Sequence, residues 1–316
     1  MSVDIQLVAE TLIQFFTVVL LSPLFIGISN RLKAIVESRQ GPSIFQPYYD
    51  LMKLLRKQSL APKNAGSVFI YAPYVAFAIY CLIALVIPVV LPQPIYFTAT
   101  VDFLGGALLF GLAGFIKMLA AMDSGSNFTA LGTARVASFS IFAEGTLILV
   151  FFAVALITST INPYVTNSFL VANPSAYLTL AHISAVIAFG MLFIFESGRL
   201  PVESAGLMEL GMVDDALSYE YSGKLLAINK WGSYIKQYLL GAVLLNVFLI
   251  PWGLQAGIIG GLIDIPIMIL KWLGLIAVLV IIEMSFAKMR LFKIQDYLSI
   301  AFALSLLFLI LSLVAT

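Results

Sequence analysis

Eight long apolar segments constrain this sequence more than any other feature. They lie at residues 7–29, 69–91, 103–121, 138–160, 176–195, 237–257, 266–286 and 297–315. Each is close to the roughly 20 apolar residues that a helix needs to cross a bilayer. With 61% hydrophobic and only 10% charged residues, the chain has more apolar surface than a soluble domain can bury. The sequence therefore predicts an all-α polytopic protein: a single membrane domain over residues 1–316 with about eight transmembrane helices and long cytoplasmic loops.

Charge and cysteine content exclude several classes of function. Seventeen Lys and Arg residues against 16 Asp and Glu give a net charge of +1, whereas nucleic-acid binding needs a marked basic excess. The single cysteine, Cys81, excludes an internal disulfide framework and Cys-ligated clusters. One histidine, His182, cannot build a metal site alone, and no phosphate-binding loop or Ser–His–Asp arrangement is present. We expect no catalytic residue, metal or cofactor in this chain.

The basic residues lie almost entirely on one side of the predicted membrane. All of the 17 except Lys117 and Lys271 fall in loops that follow the first, third, fifth and seventh segments. The opposite loops, near 92–102, 161–175 and 258–265, contain none and are expected to be simple connectors. Because basic residues favour cytoplasmic loops, the sequence predicts a cell-membrane protein with its basic loops in the cytoplasm and both termini outside.

Two predicted cytoplasmic segments, 30–68 and 196–236, are long enough to carry function. In the first, Pro47 opens a predicted amphipathic helix over 46–58. This helix suits either a position on the lipid headgroups or the docking of a cytoplasmic partner.

The second segment concentrates acidic residues around Arg199. Its six carboxylates are those of Glu196, Glu203, Glu209, Asp214, Asp215 and Glu220. Anionic headgroups would repel this cluster, so it is either a solvated acidic loop or a partly buried group at the membrane boundary. In the second case the carboxylates raise one another's pKa and exchange protons near neutral pH.

Ionisable residues also occur within the apolar segments, where charges are costly and usually face a protein interior or a water-filled path. Glu144, Glu283 and Lys117 lie toward the cytoplasmic side. They form either a structural ion pair between Lys117 and Glu144, or a proton relay that runs from the 196–220 cluster through Glu144 and Glu283. Asp102, Asp264 and Lys271 lie near the outer interface and are expected to snorkel, while His182 is expected to be a structural polar residue.

Four ordered motifs resemble the membrane subunit called subunit 1 or H of respiratory complex I. They are Arg39-Gln-Gly-Pro42 with Gln46-Pro47, Asp50 and Lys53; Ala130-Leu-Gly-Thr-Ala-Arg135 leading to Glu144; Glu196-Ser-Gly-Arg199-Leu-Pro-Val-Glu203; and Glu220-Tyr-Ser-Gly223. Ser197-Gly198 and the run from Val202 to Gly206 depart from the quinone-reducing branch. The Glu209-Leu210, Asp214-Asp215 and 287–292 stretches look like the anchor subunit of energy-converting membrane-bound hydrogenases, formate hydrogenlyase and sulfane sulfur reductases.

The resemblance implies a subunit that anchors a cytoplasmic redox arm and starts an ion path. Its implied partners are hydrogenase-like large and small subunits, which would hold a nickel–iron centre and 4Fe-4S clusters, and antiporter-like membrane subunits. The implied ion path comprises Lys117, Glu144, Glu196, Glu203, Glu209, Asp214, Asp215, Glu220 and Glu283. The implied docking residues are Arg39, Gln46, Asp50, Lys53, Arg135, Arg199 and Tyr221.

Three alternatives to this hydrogenase subunit stay open. The same coupling role fits a sulfane sulfur reductase or a quinone-reducing complex that resembles NADH dehydrogenase. A passive anchor and a stand-alone transporter are the other two.

Overall fold

The computed structural model describes residues 5–91, 102–174, 179–202, 215–255 and 257–315, and every regular element in these ranges is helical. The helices are α1 (Ile5–Val36), α2 (Gln46–Arg56), α3 (Ser67–Val86), α4 (Phe103–Asp123), α5 (Asn127–Thr158), α6 (Pro163–Ala172), α7 (Leu180–Glu196), α8 (Gly223–Val243), α9 (Ile258–Ser285) and α10 (Leu291–Ala315). A 3-10 turn covers Asp215–Ser218, and a π-helical segment, Leu244–Leu249, continues α8. The all-α prediction is confirmed.

Six helices in the described ranges are long and apolar enough to cross a membrane: α1, α3, α4, α5, α9 and α10. The seventh, α7, is apolar but has only 17 residues. The remaining predicted span, 237–257, overlaps α8 and its π-helical continuation, which begin 14 residues earlier at Gly223 and end at Leu249. Hydropathy missed this start because the first turns of α8 carry lysines. The predicted count of eight spans is therefore not confirmed, although each predicted segment contains a helix.

Small residues let the helices approach closely around an aromatic core. Helix α3 packs against α4 and α8, α10 packs against α5 and α7, and α1 packs against α8 and α9. Trp272 of α9 stacks on Phe25 of α1 and on Tyr238 of α8, with ring centroids 4.8 and 5.2 Å apart. A Cβ atom at Gly241 would lie 2.3 Å from the Trp272 ring, so only glycine permits this contact between α8 and α9.

The loop at 161–175 is more than the predicted connector. It contains α6, whose start is capped by Asn162, the side chain of which accepts from the Tyr164 N–H at 3.0 Å. Pro163 occupies the first turn, where a missing N–H costs nothing. Asn167 is buried and donates to the Asn246 carbonyl at 2.8 Å. A 10-residue helix escaped prediction because it is too short for a hydropathy signal.

Candidate functional site

A cleft between α4, α5, α7 and α8 is lined by four ionisable side chains, two basic and two acidic. Its cavity has a volume of about 70 Å³, and its charged lining residues are Lys117, Glu144, Glu196 and Lys236. Apolar residues such as Phe110 and Leu192 line the rest. Charges in such surroundings interact strongly because little water screens them.

Within the cleft, each cation has a partner of its own. Lys236 forms an ion pair with Glu196. Lys117 donates to the Ser233 hydroxyl at 2.8 Å and lies 5.7 Å from the Tyr80 ring centroid. Glu144 is repelled by Glu196 and attracted by Lys236. The ion pair between Lys117 and Glu144, which the sequence left open, is absent from the described residues.

A glycine in α4 makes room for the Glu144 carboxylate. A Cβ atom at Gly111 would lie 3.2 Å from Glu144 Oε2, closer than an ordinary van der Waals contact. The α4 backbone therefore forms one wall of the carboxylate's site, and any larger residue at 111 would displace the carboxylate.

A second group of charges surrounds Glu283 at the end of α9. Its Oε1 accepts from Arg199 Nη1 at 2.7 Å, and its Oε2 lies 3.1 Å from Lys33 Nζ. Arg199 also donates to the Ser29 hydroxyl at 2.6 Å. Glu283 is only 6% exposed and Arg199 11%. One buried carboxylate therefore pairs with two cations, and the group of three keeps a net charge of +1.

Two adjacent residues of α8 connect these groups. Lys236 binds Glu196 of the cleft. With the amide of Gln237 oriented so that its oxygen faces the guanidinium, Oε1 accepts from Arg199 Nε at 2.9 Å and Nη2 at 3.0 Å. Glu196 and Arg199 are themselves three residues apart at the end of α7. The cleft and the Glu283 group are thus joined through the backbone of two adjacent α8 residues, each of which binds one of the groups.

Four members of this network were missed as site residues in the sequence: Lys33, Ser29, Lys236 and Gln237. Lys33 and Lys236 were used only to assign sidedness. A polar pair inside the otherwise apolar stretch of α8 was a signal for Lys236 and Gln237, but nothing local marks Ser29.

The other acidic residues of the predicted path are placed differently. Glu203, Glu209 and Asp214 lie outside the described residues. Asp215 is exposed and Glu220 half-buried, at the two ends of a short stretch whose Leu217 lines the cleft. The six carboxylates are therefore not seen as one cluster in the part of the chain that the structure describes.

Two predicted docking residues are largely buried and form their contacts within the chain. Arg199 belongs to the Glu283 group. Tyr221 stacks on Phe69 with a centroid distance of 4.2 Å and donates to the Phe69 carbonyl at 3.1 Å. Both side chains use their polar groups in long-range contacts within the chain, which stabilise the fold. Their docking role stays a prediction.

The remaining predicted docking residues line an accessible surface. Arg39, Asp50 and Lys53 are exposed, while Gln46 and Arg135 are half-buried. The predicted helix over 46–58 is confirmed as α2, which ends at Arg56.

Helix α2 is fixed to the bundle rather than resting on lipid alone. The Tyr48 hydroxyl donates to the Leu20 carbonyl of α1. A Cβ atom at Gly27 would lie 1.8 Å from the Ile44 carbonyl oxygen, so glycine in α1 admits the chain that leads into α2. Pro47 and Leu51 are buried against the bundle, which leaves the polar face of α2 outward.

The Glu220-Tyr-Ser-Gly223 motif forms a clamp on the segment that follows α2. The Ser222 hydroxyl accepts from the Leu60 N–H at 2.8 Å and donates to the Leu60 carbonyl at 2.9 Å. Gly223 has φ +52°, and a Cβ there would lie 2.2 Å from the Gln58 carbonyl oxygen. Burial, with the nearby charge of Asp123, raises the pKa of Tyr221, so this hydroxyl stays a donor. The motif joins the two long loops.

Asp264 and Lys271 do not snorkel as the sequence suggested. Asp264 is fully buried and Lys271 is 7% exposed. They are seven residues apart, about two helical turns, so both lie on the buried face of α9. Asp102, by contrast, caps α4 by accepting from the Gly105 N–H at 2.5 Å.

His182 contacts the Phe248 carbonyl through Nε2 at 2.7 Å. Among the described residues no group of three His, Cys, Asp or Glu side chains could hold a metal ion.

Comparison with known proteins agrees with this architecture. The chain is 30% identical over 312 residues to hydrogenase-4 component C of Escherichia coli (strain K12), covering 96% of this chain and 95% of the relative. It is 32% identical to formate hydrogenlyase subunit 4 of the same organism, covering 89% and 90%.

A solved structure has the same fold. It is a chain of the membrane-bound sulfane sulfur reductase, an archaeal respiratory membrane complex, and it superimposes with a TM-score of 0.78 at 19% identity, covering 97% of this chain and 99% of that one. The sequence model of the NADH dehydrogenase family matches residues 9–314. The chain therefore belongs to the NADH dehydrogenase family of membrane subunits that resemble complex I subunit 1.

Proposed function

We propose that this chain is the membrane-anchoring and ion-coupling subunit of a membrane-bound hydrogenase complex. The observation that carries the proposal is that adjacent α8 residues bind both charge groups: Lys236 pairs with Glu196 in the cleft, and Gln237 binds Arg199, the partner of Glu283. The relatives in hydrogenase-4 and formate hydrogenlyase support the choice of complex. The chain itself is expected to hold no redox centre.

The network is suited to coupling because its charges are unevenly shared. Glu283 supplies one negative charge for two cations, so its protonation leaves Arg199 and Lys33 without their shared counterion. In a site of low dielectric constant, such a change favours rearrangement of nearby charges. Arg199 is bound to α8 through Gln237, whose neighbour Lys236 holds Glu196. A proton gained at one group therefore alters the balance at the other.

The redox arm is proposed to dock on the face that carries α2 and the basic loops. Arg39, Asp50 and Lys53 are exposed there, and the clamp formed by Tyr221, Ser222 and Gly223 holds the following segment in place. This face is proposed to be cytoplasmic because positive residues favour that side. The docked partners would be hydrogenase-like large and small subunits with a nickel–iron centre and 4Fe-4S clusters, and antiporter-like subunits would lie beside the bundle in the membrane.

The test is neutralisation of Glu144 in the intact complex. In inverted membrane vesicles, Glu144→Gln is expected to keep the redox rate and abolish the coupled pH gradient, because the cleft loses its exchangeable carboxylate. The matched control is Asp102→Asn, which also removes a carboxylate but keeps a helix cap, and it should pump normally.

Two outcomes would overturn the coupling role. Normal gradients in both Glu144→Gln and Glu283→Gln would make the chain a passive anchor. Purification of the chain without hydrogenase-like subunits, with transport activity of its own, would make it a transporter.

A further inference from the structure

A second pair of buried charges lies in the opposite half of α9 from Glu283. Asp264, Lys271 and Glu283 all belong to the buried face of this helix. Lys271 and Glu283 are 12 residues apart, which at 1.5 Å per residue is about 18 Å along the axis. The buried residues between them are apolar and include Trp272 and Leu275. The outer pair is thus a separate site and no part of the network around Glu283.

Lys271 is held where the helical hydrogen bonding of α8 breaks down. Its ammonium group donates to Asn246 Oδ1 at 3.0 Å and to the Ile250 carbonyl at 2.8 Å. Asn246 lies in the π-helical segment and donates in turn to the carbonyls of Pro88 and Val89 at 3.2 and 3.0 Å. Such π-helical turns occur frequently at functional sites.

Asp264 is the unusual member of the pair. Its Oδ2 accepts from the Gln255 N–H at 2.5 Å. Its Oδ1 is buried and has no hydrogen-bond partner among the residues that the structure describes. Asp264 and Lys271 attract each other electrostatically. A structural role accounts for the hydrogen bond to Oδ2 and for both hydrogen bonds of Lys271. It does not account for Oδ1, because burying an oxygen without a hydrogen-bond partner is unfavourable.

The chemistry of the site favours a proton over a metal cation. A hard cation takes six or more oxygen ligands, mostly carboxylates and carbonyls, whereas one carboxylate oxygen is free here and the ammonium of Lys271 opposes a second positive ion. A proton needs only the single free oxygen.

The titratable groups around the site come from several helices. Helix α1, which packs against α9, carries the buried Glu10. Tyr164 of α6 and His182 of α7 belong to helices that contact the π-helical segment. Lys271 is the cation on α9 itself.

We propose that Asp264 is a proton-binding group for the outer half of the bundle, with Lys271 as its fixed countercharge. A proton from water binds Oδ1 and forms a carboxylic acid; when it leaves to water, the carboxylate is balanced by the ammonium group. Its part in ion movement rests on the proposed function, but proton binding at Asp264 is measurable without it.

The test is infrared difference spectroscopy on the purified complex between acid and alkaline buffer, in H₂O and D₂O. The wild type is expected to show a carboxylic-acid C=O band that shifts in D₂O and disappears in Asp264→Asn. The asparagine retains an oxygen that can accept from Gln255, so the variant should assemble. Lys271→Gln should move the pH at which the band appears, while Lys271→Arg should move it less. If Asp264→Asn does not assemble, the proposal is tested by whether Lys271→Gln moves the pH at which the band appears.

The proposal is overturned if no band is lost in Asp264→Asn, or if Lys271→Gln leaves the band's pH dependence unchanged. The two proposals fail separately. Loss of pumping in Glu144→Gln without an Asp264 band refutes only proton binding. An Asp264 band with normal pumping in both Glu144→Gln and Glu283→Gln refutes only the coupling role.

Discussion

Neutralising Glu283 should destabilise the complex mainly through one of its two ion pairs. Glu283→Gln removes the anion from Arg199 at 2.7 Å and from Lys33 at 3.1 Å. The Arg199 side chain is 11% exposed, and stranding a buried charge costs about 3–5 kcal/mol. Lys33 is 32% exposed and can turn to solvent, so its pair contributes about 0–1 kcal/mol. We expect a loss of about 3 kcal/mol, the low end, because Ser29 and Gln237 still bind the guanidinium.

The assay compares thermal denaturation of the purified complex across four variants. Glu283→Gln should lower the melting temperature strongly and Lys33→Met only slightly. Arg199→Gln should also be severe, since it leaves the carboxylate with only its exposed partner. The double variant Glu283→Gln/Arg199→Gln should be milder than the sum of the two single changes, because no buried charge is then left unpaired.

Additive losses in this cycle would refute the reasoning. They would mean that Glu283 and Arg199 do not depend on each other, so the network would not link the end of α9 to α7 and α8. A Lys33→Met variant as unstable as Glu283→Gln would also contradict it, because the more exposed pair would then carry the stability.

Two further predictions concern the clamp. Gly223→Ala should destabilise the complex by more than about 1 kcal/mol, because Gly223 has φ +52° and a Cβ would lie 2.2 Å from the Gln58 carbonyl oxygen; Gly190→Ala, where the Cβ meets nothing within 4 Å, is the control in the same thermal assay. Tyr221→Phe should cost about 1 kcal/mol by removing the bond to Phe69. Burial raises the pKa of Tyr221 above the ordinary 10.0, so its contribution is present below pH 10 and is lost as the pH rises through the higher folded value. Melting curves at increasing pH should therefore converge for wild type and Tyr221→Phe, and parallel curves would contradict this assignment.

The apolar pattern predicted the helices well because crossing a bilayer sets their length and composition. It also located Glu144 and Glu283, since a carboxylate in an apolar segment is visible in the sequence alone. Helix α2 was predictable because Pro47 marks its start and its two faces differ in polarity.

The partners of these groups could not be predicted. Glu283 binds Lys33 and Arg199 across 250 and 84 residues of chain, and nothing local encodes such pairings. Hydropathy also reports how apolar a helix is but not which way each side chain points. For that reason Asp264 and Lys271 were expected at the lipid interface, although the structure turns them inward.

The position of Lys236 and Gln237 next to each other on α8 has a mechanical consequence. Adjacent residues on a helix point about 100° apart, so one side chain reaches Glu196 while the next reaches Arg199. A small turn of α8 about its own axis would loosen both contacts together. The clamp at Gly223 fixes the N-terminal end of the same helix. A bound partner that moves the clamp and rotates α8 would therefore weaken the contacts of both charge groups at the same time.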